Sequence, residues 1–126
     1  LRKKLFRVAS IYLPPILYAG MIFTLSSRSF ESVHLEHGLD KGVHLLLYTG
    51  FGVLVYRTFH KSHRGRMAPF WTVLIVFLYG VSDEFHQFFV PGRTFEIADM
   101  VADGLGGLLS VLLCKLAGHA GWPLWF

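Results

Sequence analysis

The sequence predicts an all-α fold, a four-helix bundle embedded in a membrane with both termini cytoplasmic. Three observations lead there. Hydrophobic residues make up 53% of the 126 and charged residues only 16%, with a mean hydropathy of +0.49, a balance outside the range of ordinary soluble domains. Four mostly apolar windows of about 20 residues, the length that crosses a bilayer, cover residues 5–25, 40–59, 68–90 and 95–117, with only short connections between them. The basic residues gather at alternate helix ends. A single transmembrane domain over residues 1–126 is expected.

Helix one follows LRKKLFR, whose Arg2, Lys3, Lys4 and Arg7 precede the apolar run. The run is longer than a signal-peptide core and no A-x-A-like site follows it, so it reads as an anchor. Pro14 and Pro15 inside it predict a kink. Helix two opens with DKGVHLLLY, where Asp40, His44 and Tyr48 recur every four residues and share a face. Arg57, Lys61, Arg64 and Arg66 follow its apolar part. Helix three ends in YGVSDEFHQFFVPGR, and the Pro91–Gly92 turn separates it from helix four. On helix four, Ala98, Ala102, Gly106 and Ser110 form a four-spaced ridge of small residues, the kind that lets helices approach closely in lipid. Val101, Leu105, Leu108 and Leu109 then turn to lipid.

The connections after helices one and three hold only Arg28 and Arg93, so the positive-inside rule places both termini in the cytoplasm. Short basic runs beside membrane helices are topology signals, and no nucleic-acid partner is expected. All eight acids, Glu31, Glu36, Asp40, Asp83, Glu84, Glu96, Asp99 and Asp103, fall in the outer half. Acids contribute little to orientation, so their segregation points to an outward-facing polar site. Depth supports this: at 1.5 Å per residue, His44 lies roughly 6 Å from its helix end, Asp83 and Glu84 roughly 9–10 Å, and Asp99 and Asp103 roughly 6 and 12 Å. On helix three, Asp83, Glu84, His86 and Gln87 span an arc of about 160°, opposite Phe85, Phe88 and Phe89. Ionisable groups at such depth are costly and face a bundle interior or a water-filled cavity.

Other features read more plainly. Cys114 is alone, so there is neither an intramolecular disulfide nor a thiolate cluster. His34 and His37 in HLEH read as a solvated loop, and His60 and His63 as surface among basic residues. Trp122, Trp125 and Phe126 read as an interfacial aromatic anchor.

The segment DKGVHLLLY together with YGVSDEFHQFFVPGRTFEIADMVADGLGG resembles the VanZ-like family of small bacterial membrane proteins. The shared pattern is Asp-Lys-x-x-His-x-x-x-Tyr, then an acidic pair, His/Gln, a Pro-Gly-Arg turn, an Asp, and an Asn or Asp followed by Gly-Gly. It spans residues 40 to 107 in order. The resemblance implies a four-helix membrane protein of the bacterial cytoplasmic membrane and a link to glycopeptide antibiotics such as teicoplanin. Carried onto this chain, its motif residues are Asp40, Lys41, His44, Tyr48, Asp83, Glu84, His86, Gln87, Arg93, Asp99 and Asp103. Asp103 stands where many members carry Asn, which adds to the excess of acid. The family name supplies no reaction.

Three functional readings fit these residues. One is an outward-facing pocket that binds a cell-envelope lipid or lipid-linked cell-wall precursor, with Lys41 and Arg93 on its anionic group. A second is a hydrolase or transferase on a lipid-linked substrate, working by acid–base chemistry or with a divalent metal. A third is structural: the polar side chains join helices and hold no ligand. Under the first two, His44, Glu84, His86 and Asp99 are the expected groups for chemistry or ligation, and Asp40, Tyr48, Asp83, Gln87 and Asp103 the supporting shell. No cofactor motif is evident, and neither His-Glu-x-x-His nor Gly-x-Ser-x-Gly occurs. Four short helices enclose little volume, which makes a homodimer an expectation to test.

Overall fold

A computed structural model of the chain describes residues 1–28, 38–62 and 64–122. The expectations placed on His34, His37, His63, Trp125, Phe126, Glu31 and Glu36 lie outside the described residues. Four α-helices follow one another: α1 (Arg2–Ser26), α2 (Leu39–Lys61), α3 (Ala68–Phe88) and α4 (Ile97–His119), with one 3-10 turn, Gly65–Met67, leading into α3. No strand occurs among the described residues. The observed ends lie within three residues of those expected. α1 starts at Arg2 because Arg and Lys are good helix formers and simply extend the apolar run backwards. α4 starts at Ile97 because Glu96 takes an extended backbone, φ −130° and ψ 118°, as residues just before a helix do.

Of the four, α1, α3 (with its leading turn) and α4 are long and apolar enough to cross a membrane. α2 has the same length, 23 residues, but carries Asp40, Lys41, His44, Arg57 and Lys61. It can carry them because it is the central helix. It packs against α1, α3 and α4, whereas α1 and α4 do not meet. The helices run up and down, so the end of α1, the start of α2, the end of α3 and the start of α4 share one end of the bundle.

The apolar core is small: Ile22, Tyr48, Phe51, Val55 and Val76 in one cluster, and Tyr56, Ala68 and Cys114 in a second. Large apolar side chains point outward instead, among them Leu17, Phe77, Phe85, Phe88, Leu105, Leu108 and Leu112. An exposed apolar surface of this extent needs lipid or protein to cover it. On α4 the small ridge packs inward: Ala102, Gly106 and Ser110 are buried and Val101, Leu105 and Leu108 exposed, with Ala98 also exposed. A Cβ on Gly106 would come within 2.9 Å of both the Thr49 nitrogen and the Tyr48 Cβ, so α2 and α4 touch almost backbone to backbone. That contact brings the acids of α4 up to His44.

α1 continues through Pro14 and Pro15. A proline has no N–H, so it strips the carbonyl four residues earlier of its donor. The two carbonyls are those of Ser10 and Ile11. α2 supplies both replacements: Arg57 Nη1 donates to the Ser10 carbonyl at 3.0 Å and Thr58 Oγ1 to the Ile11 carbonyl at 2.9 Å. In a bilayer no water is present to do this, and a neighbouring helix must.

Candidate functional site

The polar residues of α2, α3 and α4 converge at the shared end of the bundle. Lys41 forms the outer knot. Its Nζ donates to Asp40 Oδ2 at 2.7 Å and to Glu96 Oε2, and pairs with Asp99 Oδ1 at 3.0 Å. Asp40 and Glu96 accept hydrogen bonds from the ammonium, while Asp99 pairs with it by charge, its Oδ1 buried without a hydrogen bond. Lys41 beside the Glu96 carboxylate holds that carboxyl below the ordinary glutamate range. Asp99 sits in the first turn of α4, where the helix dipole favours an anion.

One turn deeper, His44 Nδ1 lies 2.9 Å from Asp103 Oδ1, and His44 Nε2 lies 3.8 Å from Asp99 Oδ2. On the facing side Tyr48 donates its hydroxyl to Asp83 Oδ2 at 2.9 Å, and Gln87 Nε2 donates to the same oxygen at 3.2 Å. Asp83 and Gln87 are one turn apart on α3, which lets Gln87 reach the oxygen that Tyr48 also bonds. Glu84, next to Asp83, turns towards the start of α4: its Oε1 accepts the Glu96 backbone N–H at 2.6 Å. Glu84 Oε2 and Asp103 Oδ2 are buried without a hydrogen-bond partner. Both residues are 0% exposed.

Exposure is highest at the rim and lowest at the floor. Among side chains, Glu96 is 43% exposed, Asp40 35%, Lys41 30%, His44 12%, Asp99 8% and Asp103 0%. The cluster therefore has an open rim and a closed floor. Six carboxylates, those of Asp40, Asp83, Glu84, Glu96, Asp99 and Asp103, meet the ammonium of Lys41 and the imidazole of His44.

Of the residues singled out from sequence, Asp40, Lys41, His44, Tyr48, Asp83, Glu84, Gln87, Asp99 and Asp103 come together here. His86 faces elsewhere. It stacks on Phe23 with ring centroids 4.5 Å apart and bonds Ser27 Oγ through Nε2 at 2.9 Å, tying α3 to the end of α1. It lies two positions after Glu84, a rotation of about 200° around the helix, so the two cannot share a face. Arg93 stands partly buried in the turn between α3 and α4. Its backbone N–H closes that turn on Val90. Glu96 is the contributor that the site reading from sequence left out. Its signal was present, since Glu96, Asp99 and Asp103 are spaced three and four apart on one face.

Two groups of three residues bring possible ligand atoms within 4.8 Å of one another: His44, Asp83 and Asp103, and Asp40, Glu96 and Asp99. The second group already surrounds the ammonium of Lys41. A family model described as VanZ/LLP1 matches residues 6–118. No curated protein and no solved structure matches the chain.

Proposed function

This chain belongs to the VanZ/LLP1 family, and with that as premise we propose that it binds the polar head of a cell-envelope lipid or lipid-linked precursor in the acid-rich cluster, on the outer side of a bacterial cytoplasmic membrane. It is a VanZ-like membrane protein with helices that fit a bilayer. The observation that carries the proposal is Glu84 Oε2, a carboxylate oxygen fully buried and without a partner in a cluster whose rim is open. Buried polar atoms in folded proteins are nearly always bonded. A hydroxyl or amine of a ligand head group would satisfy this one.

The remaining chemistry suits such a ligand. Sugar hydroxyls and amines donate to carboxylates, while Lys41 at the rim and Arg93 in the adjoining turn supply cations at the same end of the bundle. The acyl or isoprenoid tail stays in lipid beside the exposed phenylalanines of α3. A ligand of this kind would account for a link to glycopeptides, which recognise the D-Ala-D-Ala end of a cell-wall precursor. The pairing of His44 with Asp103 favours a second reading, acid–base hydrolysis or group transfer on the same ligand.

Native mass spectrometry of the chain extracted from bacterial membranes tests the first reading. A co-purifying envelope lipid should be present on the native protein and depleted about tenfold or more in Glu84→Gln, whose helix content is unchanged. Equal lipid on both proteins overturns it. Turnover of that lipid by the native protein alone would replace binding with the second reading.

A further inference from the structure

We propose that His44, Asp83 and Asp103 bind a divalent transition-metal ion, of the zinc or manganese kind, at the floor of the cluster. The inference rests on reading the cluster as a ligand site, and names what lies between its acids and an anionic ligand. The three residues come from three helices, and one ligand atom of each lies within 4.8 Å of the others. Ligand bonds of about 2.0–2.2 Å put neighbouring donors somewhat closer than that, so side-chain shifts on the order of an ångström complete the set.

Asp103 supplies the second, independent observation. It is 0% exposed, and while Oδ1 meets His44, Oδ2 has no partner. That oxygen points at α3: it lies 2.9 Å from where a Cβ on Gly80 would stand. Gly80, Asp83, Glu84 and Gln87 occupy one face of α3, so Oδ2 is aimed at the side that carries Asp83. The absence of a side chain at Gly80 is what lets it approach.

The surroundings have the form of an outer shell that orients metal ligands. Tyr48 and Gln87 both donate to a single oxygen of Asp83, fixing the carboxylate's direction. Asp99 Oδ2 stands 3.8 Å from the ring nitrogen of His44 that Asp103 does not use, a negative charge that favours a proton there once a metal holds the other nitrogen. The outer group makes an instructive contrast. Asp40, Glu96 and Asp99 supply three carboxylates against the inner group's two, and Lys41 already pairs with all three. Lys41 pairs with none of the inner three. A metal ion takes the place of the proton shared by His44 Nδ1 and Asp103 Oδ1, and that proton leaves to solvent. An imidazole with two carboxylates suits zinc or manganese better than magnesium. Three protein donors leave a coordination position for a phosphate or carboxylate oxygen of the ligand, so an acid-rich floor can hold an anion.

The test uses the full chain in detergent, stripped with chelator, loaded with Zn2+ or Mn2+ in turn with Mg2+ as control, desalted and analysed for metal. About one ion per chain and a higher melting midpoint are expected for zinc or manganese. Asp103→Asn should weaken uptake about tenfold or more, while Thr24→Val, at an exposed position of α1 outside the cluster, should retain it. No uptake by the native chain, or equal uptake by Asp103→Asn, overturns the site. The native measurement decides even if Asp103→Asn fails to fold. Lipid retention by the stripped native protein separates the two proposals: no metal with lipid retained sinks the metal site alone, and metal uptake with no lipid in any state sinks the envelope-lipid reading.

Discussion

Lys41 offers three donors and pairs with three carboxylates, Asp40 on α2, Glu96 just before α4 and Asp99 in its first turn. Such a knot at the rim sets the local charge and anchors α4 to α2. Glu96 is its most exposed member, so salt and solvent screen its share. The sign of its pH dependence is nonetheless fixed. The folded carboxyl titrates below the ordinary value of 4.5 because Lys41 stabilises the anion, so the protein gains stability from it above the unfolded pKa and loses that gain as pH falls through the folded one. The melting midpoint of the native protein should exceed that of Glu96→Gln at pH 7. The gap should close as pH drops below about 4.5. A gap that widens on acidification contradicts this assignment. At the same scale, Asp83 illustrates how a buried carboxylate is held: one phenol and one amide on one oxygen, with the Tyr48 ring kept in place by Phe51 and Tyr79.

Among the elements, α2 is the organiser. Its polar start builds the site, its middle presses on Gly106 of α4, and its end repairs the backbone of α1. The repair explains why a Pro-Pro pair is tolerated in a membrane helix whose own packing is thin, since only Ile22 and Ser26 of α1 are buried. Thr58→Val keeps the shape of the side chain and removes the donor to the Ile11 carbonyl. Leaving that carbonyl unpaired should cost about 1–3 kcal/mol, read as a lower unfolding midpoint in detergent. Thr24→Val, which deletes an exposed bond within α1 itself, should be close to neutral. Equal effects would mean that lipid headgroups or water, rather than α2, serve the carbonyls.

Across the whole molecule, polar and apolar surfaces are arranged inside out relative to a soluble bundle. The interior holds carboxylates and small residues beside a small apolar core, and the exterior holds leucines and phenylalanines. Every described acid lies at one end of the bundle, and Arg57, Lys61, Arg64 and Arg66 lie at the other. If the acid end faces outward, a Cys114→Ala background carrying Thr94→Cys should label with an impermeant maleimide on intact cells. The same background with Arg64→Cys should label only after the membrane is opened. The reverse pattern would turn the molecule over and place the site in the cytoplasm.

The sequence by itself determined four helices, their approximate spans and nine of the polar residues that gather. Those depend on the local period of apolar residues and on depth along a helix, and both can be counted along the chain. Azimuth was legible only in part. The spacing of Asp40, His44 and Tyr48 put them on one face, and the arc on α3 was correctly polar, but its width hid that His86 sits at the far edge, against α1. Only the tertiary structure decided which side chains meet. It set His44 against Asp103 because α4 approaches α2 at Gly106, and it brought Glu96 to Lys41 because α4 begins later than its hydropathy suggested. It also gave the Pro14–Pro15 pair its donors. Pairing of this kind depends on the rotation and closeness of helices far apart in sequence, which local periodicity does not encode.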